Sequence, residues 1–219
     1  MVGSMRTALL ALGICGMAVP RAAADSVHVQ GFNDSSVSPW VETTYDSDDQ
    51  PDVDWSTESS SSCPSLNAAY EGSRMARFNS CYADSGDEAR LRSPDLDLTG
   101  AEVAEVRFWM YHDPGLSGSD DRLRLQVSAD GGGTYATKLD LGRYAASAGW
   151  REEVVPLGYY TGSADLRLAL RGECRGGQNI YVDDLRVTKD VLPAGAEGKA
   201  CAAGGDCDSG LCGVDPFDQ

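Results

Sequence analysis

The chain has little histidine, the side chain most often used for proton transfer in catalysis. Two histidines, His28 and His112, are all it has among 219 residues. No Gly-x-Ser-x-Gly occurs, because the nearest approach, GLSGS at Gly115–Ser119, lacks the final glycine, and no His-Glu-x-x-His occurs either. These absences remove the strained serine elbow and the zinc-protease helix. His112 then reads as a hydrogen-bonded or solvated residue at a strand end rather than a catalytic base. A long helical stripe is also missing. So is any apolar run long enough to span a bilayer. The one strongly apolar stretch, TALLALGICGMAV, follows Arg6 and precedes the small residues Ala22–Ala24. Residues 1–24 therefore read as a secretory signal removed before Asp25. Ile14 stands where a lipid-modification box needs a small residue before Cys15, so cleavage is expected rather than lipidation. The expected location is secreted or cell surface, with no membrane insertion of the mature chain.

Positive charge is scarce. There are 18 Lys and Arg against 34 Asp and Glu, a net charge of −16, and loss of Arg6 and Arg21 with the signal leaves −18. Such a balance argues against nucleic acid and anionic membranes as partners. It favours cation binding or a plain solvated surface. The arginines are sorted by element: Arg90, Arg92, Arg107, Arg122, Arg124, Arg167, Arg171 and Arg186 fall on strand-like faces, and the aspartates crowd the loops. Two readings remain open. One is a basic sheet surface that meets a ligand. The other is a charged face whose stems cover apolar surface and whose heads discourage sheet-to-sheet association.

Of seven cysteines, six follow the signal: Cys63, Cys81, Cys174, Cys201, Cys207 and Cys212. An even number in an exported chain points to disulfides. Cys63 and Cys81 flank one loop-rich segment and form the expected local bridge; the pairing of the others stays open. Zinc is disfavoured, since no histidine lies near these cysteines and the tail spacings are wider than CxxC.

Residues 25–64 read as loop-rich, and the serine-acidic tract ETTYDSDDQPDVDWSTESSSS (42–62) reads as a long surface loop. From about Met75 a period of two takes over. Val106, Phe108 and Met110 alternate with Arg107, Trp109 and Tyr111; Leu123, Leu125 and Val127 alternate with Arg122, Arg124 and Gln126; Leu166, Leu168 and Leu170 alternate with Arg167 and Arg171. Half-buried antiparallel strands are the consequence. The expected fold is all-β, an antiparallel two-sheet jelly-roll sandwich over residues 25–189. Residues 190–219 read as a linker and a Cys-rich tail too small for its own core.

Five stretches carry a family resemblance in order: ARLRSPDLDLTG, VRFWMYHDPG, DRLRLQVSADGGGTY, WREEVVPL and NIYVDDLRV. Together, over roughly residues 28–189, they resemble the MAM family and its bacterial relatives, the choice-of-anchor J type domains. The resemblance implies a jelly roll in a secreted or surface protein that mediates adhesion or ligand binding without catalysis. The eukaryotic MAM cysteine framework is not reproduced, which favours the bacterial relatives. The tail GKACAAGGDCDSGLC is similar to short Cys-rich repeats of exported bacterial proteins. SADGGGTY (Ser128–Tyr135) resembles the Asp box of sialidases, but it occurs once and lies between two strand-like runs. It reads as a hairpin turn, not a site.

Two sets of candidate site residues follow. Asp183 and Asp184 are adjacent on an otherwise apolar strand, so one of them faces inward, with either Ile180 and Val182 or Tyr181 and Leu185 as face-mates. A buried carboxylate needs a cation or several donors. Calcium as a structural cofactor suits it, with Asp34 brought in if the first strand lies beside the last, as jelly rolls arrange it. An arginine pair or backbone hydrogen bonds are the alternative. DSDDQPDVD (Asp46–Asp54) lacks the glycine and closing glutamate of an EF-hand loop and reads as solvated. Among Trp40, Trp55, Trp109 and Trp150, Trp109 is out of phase with core Phe108 and is the candidate ligand-binding residue. The expected function is non-catalytic adhesion or ligand binding, with an extracellular protein or glycan as partner. A carbohydrate-binding accessory module is the first rival, and a small hydrolase using two loop carboxylates is the second. On the calcium reading, EDTA lowers the melting temperature by several degrees. An unchanged melting curve, with no calcium in the purified protein, ends that reading.

Overall fold

The structure, a computed structural model, describes residues 24–45 and 53–190. The expected signal peptide, all but Ala24, and the Cys-rich tail lie outside the described residues. The described residues form thirteen strands: β1 (Asp25–Gln30), β2 (Val41–Tyr45), β3 (Trp55–Glu58), β4 (Ser61–Ser62), β5 (Ser65–Leu66), β6 (Met75–Phe78), β7 (Glu88–Arg92), β8 (Val103–His112), β9 (Arg122–Ser128), β10 (Ala136–Gly142), β11 (Gly149–Pro156), β12 (Arg167–Glu173) and β13 (Ile180–Asp190). The only helical element among the described residues is a 3₁₀ turn at Gly158–Tyr160.

The alternation read in the sequence builds two antiparallel sheets that face each other. One runs β11-β8-β13-β6-β3, with β1 also paired to β13. The other runs β10-β9-β12-β7-β2. Val106, Phe108 and Met110 of β8, Leu123, Leu125 and Val127 of β9, and Leu168 and Leu170 of β12 all enter one buried cluster. The chain is thus a jelly-roll β-sandwich. β13 is long enough to serve two partners along one edge. Its first half pairs with β6 (Ile180↔Phe78 to Val182↔Ala76) and its second half with β1 (Leu185↔Gln30 to Lys189↔Asp25). First and last strands are neighbours, as expected.

Two expectations are corrected. The tract 42–62 is not a single loop: Val41–Tyr45, Trp55–Glu58 and Ser61–Ser62 are strands, and residues 46–52 lie outside the described residues. Thr43, Thr44, Tyr45, Trp55 and Thr57 are β-branched or aromatic residues that fit a pleated surface, and the serines and acids around them hide that signal. The simple alternation through Asp183 and Asp184 also fails. A register irregularity lies between Asp183 and Arg186, and Asp184 has φ of +46°. This bulge shifts the phase, so Val182, Leu185 and Val187 all enter the core. Leu185 and Asp183 therefore do not share a face.

The Cys63–Cys81 disulfide forms as expected and ties the small β4–β5 hairpin to the segment after β6. Cys174 is buried and unbridged among the described residues.

Two of the smallest side chains meet aromatic rings between the sheets. Ala89 and Gly172 are paired on the inner face of the second sheet. Opposite them the first sheet places Trp55 and Phe78, ring centroids 5.6 Å apart, with Trp55 Nε1 donating to the Ala89 carbonyl at 3.0 Å. A Cβ on Gly172 would lie within 2.7 Å of three Phe78 ring carbons. Gly172→Ala is therefore expected to destabilise the protein by roughly 1–3 kcal/mol through overpacking. Equilibrium urea unfolding checks this, and a change below about 0.5 kcal/mol would mean that the sheets separate more easily than this packing implies.

Candidate functional site

The outer face of the β10-β9-β12-β7-β2 sheet carries side chains in ordered rows. The core needs Leu91, Leu170 and Leu125 inward at one level. The adjacent level turns outward and aligns Thr43, Arg90, Arg171, Arg124 and Asp140 across all five strands. The row on one side holds Tyr45, Glu88, Glu173 and Arg122. The row on the other side holds Val41, Arg92, Ala169, Gln126 and Thr137.

Three arginines in one file repel one another, and the neighbouring groups offset that repulsion. Arg171 pairs with Glu88, and Arg124 pairs with Glu173 and Asp140. Arg90 meets no carboxylate among the described residues. It donates to Gln126 Oε1 at 3.1 Å and to the Tyr45 hydroxyl at 3.0 Å, and its guanidinium sits 4.7 Å from the Tyr135 ring centroid and 5.3 Å from that of Tyr45. Gln126, 4 % exposed, passes the network on to Thr137 Oγ1 at 3.2 Å. The result is a polar surface whose aromatic faces and amide are fixed before any ligand arrives.

The Asp-box turn supports this face. Asp130 accepts from the Ser128 hydroxyl (2.6 Å), the Thr134 amide (2.9 Å) and the Thr134 hydroxyl (2.8 Å), while Ser128 Oγ accepts from the Gly132 amide (2.8 Å). These donors, the Ser128 hydroxyl first, hold the Asp130 carboxyl far below the usual carboxylate range. Gly131 and Gly132, with φ of +65° and +94°, allow the chain to reverse. The turn ends at Tyr135, delivering its ring to Arg90. Burial raises the Tyr135 phenol pKa against the pull of Arg92, Arg167 and Arg90.

Trp109, the candidate from sequence, lies on the outer face of the other sheet. Tyr70 stacks on it with centroids 3.9 Å apart and planes 13° from parallel. Trp150 meets Tyr70 and Tyr111 edge-on. One face of the Trp109 indole is thus covered from within the chain. Trp40 and Trp55 are buried; Trp40 donates to His28 Nε2 at 3.0 Å. Asp183 holds the covering segment in place. Its carboxylate accepts from the Glu71 amide at 3.0 Å and from its own neighbour's amide, Asp184, at 2.8 Å. Asp184 pairs with Arg186 at 2.7 Å, and Arg186 reaches Glu71 at 2.9 Å. Asp34 is exposed, and its carbonyl accepts from Thr57. The structure thus gives Asp183 and Asp184 the backbone and arginine partners named as the alternative to calcium. Among the described residues no group of three or more His, Cys, Asp or Glu is gathered for a metal.

His112 is buried at the end of β8, and desolvation lowers its pKa. Burial raises the Cys174 thiol to about 11, far from a reactive thiolate. Sequence reasoning missed Tyr45, Tyr135 and Gln126 as members of one surface. The available signal was the Asp-box tyrosine, two residues past a tight turn and next to a strand of outward arginines.

No protein-family model matches the chain, and no curated protein sequence matches it. Solved structures share the fold. The carbohydrate-binding module TmCBM61, in complex with β-1,4-galactotriose, matches with a TM-score of 0.51 and 19% identity over 74% of this chain and 95% of that one. The K1 cleaved adhesin domain of Lys-gingipain from Porphyromonas gingivalis W83 matches with a TM-score of 0.53 and 14% identity over 74% and 98%. The CBM22-1 xylan-binding domain from Paenibacillus barcinonensis Xyn10C matches with a TM-score of 0.50 and 14% identity over 80% and 100%. At these identities the likeness is one of fold.

Burial raises the Asp183 carboxyl to about 6; the Glu71, Asp184 and Tyr70 amides oppose the rise, and the Asp184 charge adds a little to it. The folded state therefore holds this proton more tightly than the unfolded chain, whose aspartate titrates near 3.9. Stability associated with Asp183 falls as pH rises from about 4 to about 6 and stays lost above. In Asp183→Asn this titration is gone. The melting temperature of the variant relative to wild type is thus expected to rise between pH 4 and 6, by the equivalent of on the order of 2 kcal/mol. A difference that does not change with pH would show that Asp183 is not titrating there.

Proposed function

We propose that this chain is an extracellular, non-catalytic binding module that recognises glycans on the outer face of its β10-β9-β12-β7-β2 sheet. The observation that carries the proposal is the fixed network Tyr45–Arg90–Gln126–Thr137 with Tyr135 packed on Arg90. Glycans present many hydroxyls and weakly apolar ring faces. They are bound best by planar donors and aromatic rings already held in place, because ordering them on binding costs affinity. The carboxylates on this face, Glu88, Glu173 and Asp140, are paired with arginines, so they serve charge balance rather than acid–base chemistry. Support comes also from the shared fold with a module solved with galactotriose and with a xylan-binding domain. Adhesion to protein is the second reading, and the likeness to the gingipain adhesin domain favours it. The MAM-like resemblance fits either reading.

A glycan array and calorimetry separate these readings. Arg90→Ala is expected to weaken glycan binding about 10-fold, the equivalent of about 1.4 kcal/mol, while Trp109→Ala leaves it within about twofold. Loss in Trp109→Ala with retention in Arg90→Ala would move the site to the tryptophan face. No glycan binding, with saturable binding to cell-surface protein, would establish adhesion instead.

A further inference from the structure

Among the described residues, charge on this face is balanced at one end and not at the other. Glu88 and Glu173 lie in the Tyr45 row and Asp140 at the β10 end of the middle row, paired with Arg171, Arg124 and Arg122. The row Val41–Arg92–Ala169–Gln126–Thr137 contains no carboxylate. Arg92 stands in it, and its Nε is shielded and unpartnered among the described residues. Arg90 lies two residues earlier on the same face, about 7 Å along the strand, and directs its bonds to neutral oxygens of Tyr45 and Gln126. Arg167, beyond Ala169 on β12, has Asp95 as its carboxylate. Among the described residues, then, Arg90 and Arg92 have no carboxylate partner, Arg167 has Asp95 with Asp165 nearby, and the buried Ala169 stands between Arg92 and Gln126. The Tyr135 hydroxyl is also shielded and unpartnered among the described residues, and it feels the charges of Arg90, Arg92 and Arg167 together.

A neutral glycan would supply hydroxyls here but would not offset the charge. A uronic acid residue does both, and its two carboxylate oxygens match the planar fork of a guanidinium. Resting on the glycan-binding reading above, we infer that this end of the face takes a uronic-acid-bearing polysaccharide, with the sugar carboxylate received by Arg92 beside Arg90 and Tyr135. The excess is local: it sits on a chain of net charge −16.

Affinity electrophoresis and calorimetry with polygalacturonate, alginate and glucuronoxylan test this, beside carboxyl-reduced polygalacturonate, β-1,4-galactan and dextran sulfate. At least one uronate polymer is expected to bind, with about 10-fold loss in Arg92→Gln at unchanged melting temperature. Arg107→Gln, on the other sheet, is expected to leave it within about twofold. Carboxyl reduction of the bound polymer should weaken it at least as much as Arg92→Gln does. Equal binding of neutral and uronate polymers, or uronate binding indifferent to Arg92→Gln, would overturn the inference and leave glycan recognition standing. Dextran sulfate binding as tightly as the uronates would overturn it as general polyanion capture. Binding to no glycan at all would remove the glycan reading itself.

Discussion

The two-residue period of β7, β9 and β12 is the constraint from which the remaining features follow. Burying Leu91, Leu125 and Leu170 at one level fixes the register of three neighbouring strands. A slip of one residue would turn all of them to solvent. Once that register is set, Arg90, Arg171 and Arg124 have no freedom but to stand side by side on the far face. Like charges opposite one another weaken a sheet. The chain answers with carboxylates one row away and with tyrosine rings and a buried amide at Arg90. The outer surface is thus a consequence of the core, and its order needs no separate cause.

Much of this is legible in the amino-acid sequence. The strands with clean alternation, EVRFWMYH, DRLRLQVS and ADLRLALRG, can be read there because one face of each is dry and the other wet. The sandwich architecture follows from that alternation, the neighbouring first and last strands from the way jelly rolls are arranged, and the Cys63–Cys81 bridge from two cysteines flanking one segment. β2 and β3 are not legible, since their polar faces resemble loop composition and their pairing partners lie far along the chain: Val41 to Tyr45 pairs with Arg92 to Glu88, and Trp55 with Phe78. Local pattern does not report such partners. The arginine face is visible in sequence as a strand-sorted set but does not resolve into rows, because rows depend on register between strands.

Asp183 and Asp184 show a different limit. Their sequence position is a run of strand residues, and a uniform pleat places one carboxylate in the core. The bulge, in the pairing with β8, lies level with the point where β6 gives way to β1 along the other edge of β13. The Glu71 amide, outside any strand, needs an acceptor, and Asp183 supplies it. That bond also sets Tyr70 on Trp109. Asp183, a candidate calcium ligand from sequence, thus also holds the segment that stacks an aromatic ring on the sheet's outer face.

On the proposed uronate reading, a net-negative protein needs a short-ranged attraction for an acidic polymer. At physiological ionic strength the screening length is about 8 Å. Beyond that distance the excess of acidic residues counts for little, and within it a ligand meets Arg92, Arg90 and Arg167 rather than the chain's average charge. Glu88 and Glu173 are already neutralised by Arg171 and Arg124, so their repulsion of an incoming carboxylate is reduced. The Asp-box turn enters this balance through Tyr135. By fixing Ser128, Asp130 and Thr134 to one another it orders the loop without drawing on Arg90 or Arg92. A turn built on arginine–aspartate pairs would have neutralised the positive groups that the face presents. A self-contained hydrogen-bonded turn leaves them available, and so a motif that is only a folding device sets the chemistry of the surface beside it.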